Sequence, residues 1–263
     1  MTLTSYMRVF WWLLWRDVRT LRNDFWNSLV DSLVMPFTMV IVNGYVMPYL
    51  GVPQNYGAFI LVSSIVMMSF NAATWMGGAP LVADLDGERA ITYEMSLPLP
   101  YWMVFIKIAC SFAVNALVLN ILTLAVGKIL LMDLFDLSQL SIIKFSMMYL
   151  STCLFFGFFA LWVTSWVQGM HGLGRFYLRI ATQLIFFGGF QFAWATLFKA
   201  LPWVAYINLL NPFTYACDGL RAAVLGQPGY LNYWYCLAAI IGFTILFGMH
   251  AMYNFKRRLD CVG

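Results

Sequence analysis

Charged side chains are scarce in this sequence. Asp, Glu, Lys and Arg make up 10% of the 263 residues, whereas an average soluble domain carries about a quarter. Hydrophobic residues make up 62%, and the mean hydropathy is +0.78. A soluble fold of this size needs far more polar surface than this chain supplies. The composition therefore excludes a soluble globular enzyme, a disordered protein and a secreted disulfide scaffold, and it indicates a membrane protein with several spans.

Motifs that carry chemistry are missing as well. The sequence has two His and five Cys, and the cysteines show neither a CxxC pair nor any metal-ligand spacing. HExxH, GxSxG and Walker-type glycine-rich motifs do not occur. We therefore predict no catalytic residue, no metal site and no cofactor in this chain. His171, at the boundary of a predicted span, is the candidate for an intramembrane enzyme, but no nucleophile or metal ligand is spaced to act with it.

Six apolar runs are long enough to cross a bilayer, since a spanning helix needs about 20 mainly apolar residues. None alternates with a period of two, which argues against barrel strands. The predicted fold is therefore all-α, a single integral membrane domain over residues 1–263 with six transmembrane helices. The predicted spans are Ser32–Leu50, Tyr56–Ala83, Ile108–Leu131, Phe145–Met170, Ile180–Phe198 and Tyr233–Tyr253.

The Lys and Arg residues are divided unequally between the two sides of these spans. Eleven of the 15 fall on one side, and the richer side is the cytoplasmic one by the positive-inside rule. Both termini are therefore predicted to be cytoplasmic, in a plasma membrane such as the bacterial inner membrane. The basic residues thus mark topology and do not indicate a nucleic-acid partner. The residues on the poorer side are Lys128, Lys144, Lys199 and Arg221.

The predicted spans hold almost no ionisable residue. Asp, Glu, Lys and Arg are absent between Ser32 and Ala83 and between Phe145 and Gly174. Ion-coupled carriers and proton pumps keep such residues at membrane depth, where they bind the coupling ion. The composition of the spans therefore argues against a self-powered secondary transporter, and we expect whatever drives this protein to lie outside the membrane.

The segment Tyr6–Asn27 precedes the first span and has an amphipathic pattern. Phe10, Leu14 and Val18 share one face at helical spacing, and arginines share the other, with tryptophans between them. Because Trp and Arg favour the headgroup region, we predict an interfacial helix along the cytoplasmic leaflet. Such a helix either anchors the chain or links a cytoplasmic partner to the spans. Its candidate coupling residues are Arg16, Arg19 and Arg22.

The densest cluster of charges lies in Asp84–Pro100, between the second and third spans. From Glu88 onward the residues are compatible with about two helical turns, and prolines end the helix before the next span. The segment is either a solvated loop or a short docking helix that presents charge to a soluble subunit. Its candidate coupling residues are Asp84, Asp86, Glu88, Arg89, Thr92 and Glu94.

Lys199–Asn232 is too long for a simple turn between the fifth and sixth spans. Within it, Asn211–Gly226 has the pattern of a capped helix of mixed polarity, in which Asp218 and Arg221 can pair on one face. Helices that dip partway into a bilayer need shielding by protein or by cavity water. We predict an external re-entrant gate, with an irregular loop as the alternative. The candidate gate residues are Asn211, Pro212, Tyr215, Asp218 and Arg221.

Aromatic side chains are abundant within the spans. They are candidates to line an apolar route for a lipid-like or amphiphilic substrate, and packing against lipid or neighbouring helices is the alternative. The candidate path residues are Phe70, Trp75, Phe155, Phe186 and Phe192.

Four stretches together resemble the membrane subunit of a type-2 ABC exporter. GGF at Gly188–Phe190, LPWV at Leu201–Val204 and NPFTYACDGLR at Asn211–Arg221 are similar to that family's motifs near its last span. ERAITYEMSLPLP at Glu88–Pro100 is similar to its cytoplasmic segment. One departure is Ala90–Thr92, where the family commonly has a Gly-Thr step.

The resemblance implies six spans per subunit, two permease copies and two copies of a cytoplasmic ATP-binding cassette subunit, which holds ATP and Mg. It implies that the N-terminal helix and the Asp84–Pro100 segment contact that ATPase, and that short re-entrant helices lie between the last two spans. The expected activity is export of a drug, a lipid or a lipid-linked glycan. From the residues alone, an intramembrane enzyme and a pore or scaffold without ATP coupling stay open.

Overall fold

The computed structural model describes residues 3–22, 25–86 and 99–260. Within these ranges the chain is built from helices joined by short connections, and it has no strand there. The all-helical fold class is thereby confirmed. The helices are α1 (Leu3–Leu21), α2 (Phe25–Leu50), α3 (Tyr56–Leu85), α4 (Tyr101–Leu134), α5 (Ile142–Trp166), α6 (Gly169–Phe190), α7 (Trp194–Ala200), α8 (Pro202–Asn208), α9 (Pro212–Val224) and α10 (Tyr233–Asp260).

In the described part of the chain, five helices are long and apolar enough to cross a membrane: α2, α3, α4, α5 and α10. A sixth span is present if α6 and α7, which meet at 90°, count as one broken span. The prediction of a multi-pass membrane protein is thus confirmed. The predicted fifth span, Ile180–Phe198, is corrected, because the helix begins at Gly169 and bends sharply after Phe190. The apolar composition continues across the bend, so hydropathy alone does not reveal it.

The centre of the bundle is α5, which packs along both α4 and α10. Gly157 of α5 lies directly against the α4 backbone, where an added Cβ would overlap the carbonyl oxygen of Ala109 and lie 2.9 Å from the amide nitrogen of Ala113. Small residues at such crossings let two spans approach closely, and this gain in dispersion contact favours association within a bilayer.

The bundle has two distinct ends. At one, which we name the terminal end, Phe105 near the start of α4 stacks on Phe255 near the end of α10, with ring centroids 4.9 Å apart. At the other, which we name the bend end, the Tyr56 hydroxyl at the start of α3 donates to the Gln191 carbonyl at 2.9 Å. The helices α7, α8 and α9 lie at the bend end.

Several spans begin earlier than the sequence pattern predicts and thereby gain charged residues, as α2 and α4 show. Asp31 lies within α2, where its side chain is exposed, and Lys107 lies within α4, where it is 2% exposed. The expectation of spans almost free of charge is therefore corrected. Lys107 Nζ lies 2.8 Å from Asp17 Oδ2 of α1, and this ion pair compensates part of the cost of burying the charge.

The N-terminal amphipathic segment is a helix, but it is shorter than Tyr6–Asn27. It ends at Leu21, Arg22 lies in a turn, and the following residues from Phe25 belong to the first span. The tryptophans Trp11 and Trp12 are each 65% exposed, whereas Phe10 packs against the bundle. That the whole segment is amphipathic, with its arginines opposite the apolar stripe and tryptophans between them, stays a prediction. Its position in a membrane interface stays a prediction.

Candidate gate at a bent helix pair

The bend between α6 and α7 is formed at two glycines. Gly189 has φ +84° and ψ +26°, the left-handed conformation that ends a helix without strain only at glycine. Gly188 lies flush against α9, where an added Cβ would overlap Phe213 Cβ and lie 3.2 Å from Asn211 Nδ2. The Gly-Gly pair therefore ends α6 and seats it against α9.

Arg221 of α9 caps the end of α6. Its guanidinium is 0% exposed and donates to the carbonyl oxygens of Gly189 at 2.5 Å, Phe190 at 3.0 Å and Phe192 at 3.2 Å. The last carbonyls of a helix lack partners within the helix and carry its negative dipole end, so a cation stabilises them twice over. The guanidinium is suited to this role because its donors form a rigid fork.

The remaining contacts of Arg221 join the bend to the second span and to its counterion. Asp218 Oδ1 lies 3.2 Å from Nη1, the Ser63 hydroxyl of α3 accepts from Nη2, and the Phe59 ring lies 3.6 Å from the guanidinium carbon. An arginine over an aromatic face gains cation–π stabilisation in addition to its ion pair. One side chain thus connects α3, α6 and α9.

Asp218 is the second centre of this network, and it is 1% exposed. Its Oδ2 accepts from the backbone N–H of Trp194 at 3.3 Å and of Leu231 at 3.4 Å. Burial raises the pKa of the Asp218 carboxyl, and Arg221 and these backbone N–H groups oppose the rise. The carboxylate therefore ties the first residue of α7 and the connection to α10 to α9.

The other predicted gate residues lie at the start of α9 and its first turn. Asn211 is the N-cap, whose Oδ1 accepts from the Phe213 N–H at 3.1 Å while its Nδ2 donates to the Leu184 carbonyl of α6 at 2.7 Å. Pro212 occupies the first helical position, where a missing N–H costs nothing. The Tyr215 hydroxyl donates to a carbonyl just before α9 at 2.7 Å. The structure brings all five residues together around α9, and their role as a gate stays a prediction.

Sequence reasoning missed the α3 side of this site. Ser63 and Phe59 are more than 150 residues away from Arg221 in the chain, and neither belongs to a motif. Phe213 of α9 reaches still deeper, since its ring lies 5.2 Å from Phe70 of α3 and 5.1 Å from Phe156 of α5. The Asn-Pro-Phe sequence marked the helix start, but no local signal indicated that its Phe enters the aromatic core.

The predicted path residues are distributed between the core and the surface. Phe70 and Phe155 are fully buried in the aromatic core, and Phe192 is partly buried near the bend. Trp75 and Phe186 are 39% and 44% exposed. In a single chain, therefore, only the last two of these five present a substantial surface, and their function in a path stays a prediction.

The predicted coupling residues are described only in part. Arg16 lies 2.9 Å from Asp17, and Arg19 and Arg22 are exposed. Asp84 lies at the end of α3, where it is partly buried. The side chain of Asp86 and the residues Glu88, Arg89, Thr92 and Glu94 lie outside the described part of the structure.

A comparison with protein-family models places this architecture among known proteins. A search of curated proteins gave no significant match. The family model described as ABC-2 type transporter matches residues 8–225, from α1 through the end of α9. That range contains the bend, Arg221 with the carbonyl groups that it binds, and most of the helices long enough to span a membrane. Because the match extends over most of the chain, the protein belongs to the ABC-2 type transporter family, as its membrane component.

Proposed function

We propose that this chain is the permease subunit of an ATP-driven exporter, working as two membrane copies with two ATP-binding cassette subunits. The cassette subunits hold ATP and Mg, and the permease moves a lipid-like, drug-like or glycan-linked substrate out of the cytoplasm. Family membership implies a cassette partner. The observation that carries the proposal is the broken α6–α7 helix clamped by Arg221, because discontinuous helices are where transporters change shape around a substrate path.

The distribution of charge supports an orientation with both termini in the cytoplasm. Basic side chains in the described residues cluster at the terminal end: four on or just after α1, Lys107, Arg175 and Arg179 in α6, and Lys256 and Arg257 in α10. The bend end carries four basic side chains. By the positive-inside rule, the terminal end is cytoplasmic, the bend end is external and the membrane is a plasma membrane.

In this orientation, the two segments predicted to contact the ATPase both lie next to α4. The helix α1 is held to α4 by the Asp17–Lys107 ion pair, and Asp84–Pro100 leads from α3 into the start of α4. Closure of the ATPase pair on these elements shifts the spans between inward- and outward-favouring states. ATP drives this shift only through its different affinity for the two states.

Co-purification with native partners tests the proposed assembly. The chain is extracted in mild detergent, and ATP hydrolysis is measured for the isolated assembly and for each separated subunit. We expect a cassette subunit to accompany the chain and to hydrolyse ATP at a rate that depends on it. Recovery of the folded chain without an ATPase, or hydrolysis by the chain alone, contradicts the proposal and favours a pore, a scaffold or an enzyme.

Reversing the charges of the Asp17–Lys107 pair tests whether α1 transmits force. Asp17→Lys and Lys107→Asp each place like charges together, so we expect transport in vesicles to fall at least about tenfold in each variant. The double reversal restores an attractive pair and is expected to recover most of the activity. Transport and ATP hydrolysis are measured side by side. If both single variants transport at the wild-type rate, α1 does not carry the coupling.

Replacing Glu88 and Arg89 together by glutamine tests whether the Asp84–Pro100 segment contacts the ATPase. We expect ATP hydrolysis to continue while transport falls, because the variant removes the charges predicted to dock the ATPase without altering a span. Membrane insertion, measured by the yield of folded chain, is expected to stay unchanged. Replacing the exposed Lys199 at the bend end is the matched control, with no expected effect. Normal transport by the double variant rules out this segment as a coupling element.

A further inference from the structure

A cavity of about 320 Å³ lies at the terminal end, between the end of α5 and the first half of α6. None of the gate residues lines it, and neither does any coupling residue whose side chain the structure describes. Its wall is part polar and part apolar. The lining side chains that matter here are Trp166, Gln168, Arg175, Phe176, Arg179 and Ile180.

Two arginines give this cavity its charge. Arg175 and Arg179 are exposed and lie four residues apart, so their side chains share one face of α6. Neither forms an ion pair or a hydrogen bond within the described ranges 3–22, 25–86 and 99–260. Like charges at this spacing repel each other. An anion bound between the two guanidinium groups removes that repulsion and gains charge-assisted hydrogen bonds.

The neutral lining groups add further donors and an apolar floor. The indole N–H of Trp166 and the side-chain amide of Gln168 have no hydrogen-bond partner among the described residues. The Phe176 ring meets the Trp166 ring edge to face at 6.0 Å. Beside the arginines, α6 presents the exposed apolar side chains of Leu178 and Ile180. Donors at one edge and an apolar face beyond them match a molecule with an anionic head and a hydrocarbon tail.

We propose that this cavity binds the phosphodiester headgroup of an anionic membrane lipid. Arg175 and Arg179 hold the phosphate oxygens, Gln168 and the Trp166 indole donate to the rest of the headgroup, and the acyl chains run along Ile180. The Trp–Arg combination is typical of the membrane interface. The site places a lipid on α6, the helix that ends at the bend.

Native mass spectrometry of the full-length chain, purified in detergent, tests this assignment. Phosphatidylglycerol and phosphatidylcholine with identical acyl chains are added in turn, and the bound lipid per chain is counted. We expect tighter retention of phosphatidylglycerol by the wild type. Arg175→Gln with Arg179→Gln is expected to weaken that retention at least about tenfold, since each hydrogen bond to a charged group contributes about 1.5–3 kcal/mol.

The matched control is Lys256→Gln with Arg257→Gln, which removes two exposed positive charges from the same end outside the cavity. It is expected to retain phosphatidylglycerol like the wild type. Equal loss in both double variants, or equal retention of the two lipids, overturns the proposal. A third arm adds inorganic phosphate alone to the delipidated chain. If phosphate stabilises the chain against heat and the lipid does not, the ligand is free phosphate and the lipid assignment is wrong.

A fourth readout separates a lipid site from a protein contact. If Arg175→Gln with Arg179→Gln keeps its lipid but loses a co-purifying ATPase, the arginines dock a protein and the proposal fails. Lipid loss with unchanged subunit composition supports it. This readout is distinguishable from failure of the exporter assignment, because lipid counting does not require an ATPase to be present.

Discussion

Replacing Arg221 by leucine is expected to prevent recovery of the folded permease or to lower its thermal unfolding midpoint severely. The variant leaves Asp218 buried without its cation and three carbonyl groups at or just after the end of α6 without their donor. Breaking a buried ion pair by removing one partner costs about 3–5 kcal/mol. The unpaired carbonyls add to this cost.

Two companion variants keep this prediction testable if Arg221→Leu does not fold. Arg221→Lys retains the charge but loses the fork geometry, so an intermediate loss of stability is expected. Arg221→Leu combined with Asp218→Asn removes both charges and is expected to be more stable than Arg221→Leu alone. Thermal unfolding in detergent measures all three. If Arg221→Leu unfolds at the wild-type midpoint, the contacts of Arg221 do not contribute to stability.

Replacing Gly157 by alanine is the second prediction with a large expected effect. The added methyl overlaps the Ala109 carbonyl oxygen, which belongs to a backbone that cannot move aside. Overpacking of this kind typically costs about 1–3 kcal/mol. We expect a clear drop in thermal stability, because α4 and α5 form one of the most extensive helix contacts in the bundle.

Gly242 of α10 is the matched control for this substitution. It is also a helical glycine, but it is exposed and an added Cβ meets nothing within 4 Å. Gly242→Ala is expected to leave stability unchanged or to raise it by up to about 1 kcal/mol, since alanine favours helix more than glycine does. If the two variants have the same unfolding midpoint, the close approach at Gly157 contributes nothing specific.

The packing also connects the bend to α1, one of the two segments predicted to contact the ATPase. Phe213 at the bend end touches Phe70 of α3 and Phe156 of α5, and α5 meets α4 at Gly157. Farther along α4, Lys107 holds α1. This series of contacts crosses the whole bundle. Spatial continuity alone does not demonstrate coupling, and the charge reversal at Asp17 and Lys107 supplies the functional test.

Most of the fold could be predicted because apolar length is a direct requirement of the bilayer. The two points that could not be predicted both depend on contacts distant in sequence. Lys107 looked like a residue before a span, and its ion pair with Asp17, a residue far away in the sequence, helps the span to include it. The bend after Phe190 has no hydropathy signal, since the residues on both sides are equally apolar.

The candidate site was predictable in its motif but not in its physical role. The Asn211–Arg221 sequence indicated a capped helix with an ion pair, and both features occur. The sequence predicted that Arg221 pairs with Asp218 on one face of a helix, but not that it is the most enclosed charge in the described chain. Its main partners are backbone carbonyl groups. Because every residue has one, the sequence does not show which of them binds a side chain.

The central claim is that ATP binding outside the membrane moves the bend at the far end of the bundle. A spin label on Lys199→Cys of α7 reports this directly, since Lys199 is exposed and the four described native cysteines are free but mostly buried. The distance between the two labels in the dimeric assembly is measured by pulsed electron paramagnetic resonance, with and without trapped ATP. The account predicts a shifted distance in the ATP-trapped state. An unchanged distance in an assembly that hydrolyses ATP and transports substrate contradicts it.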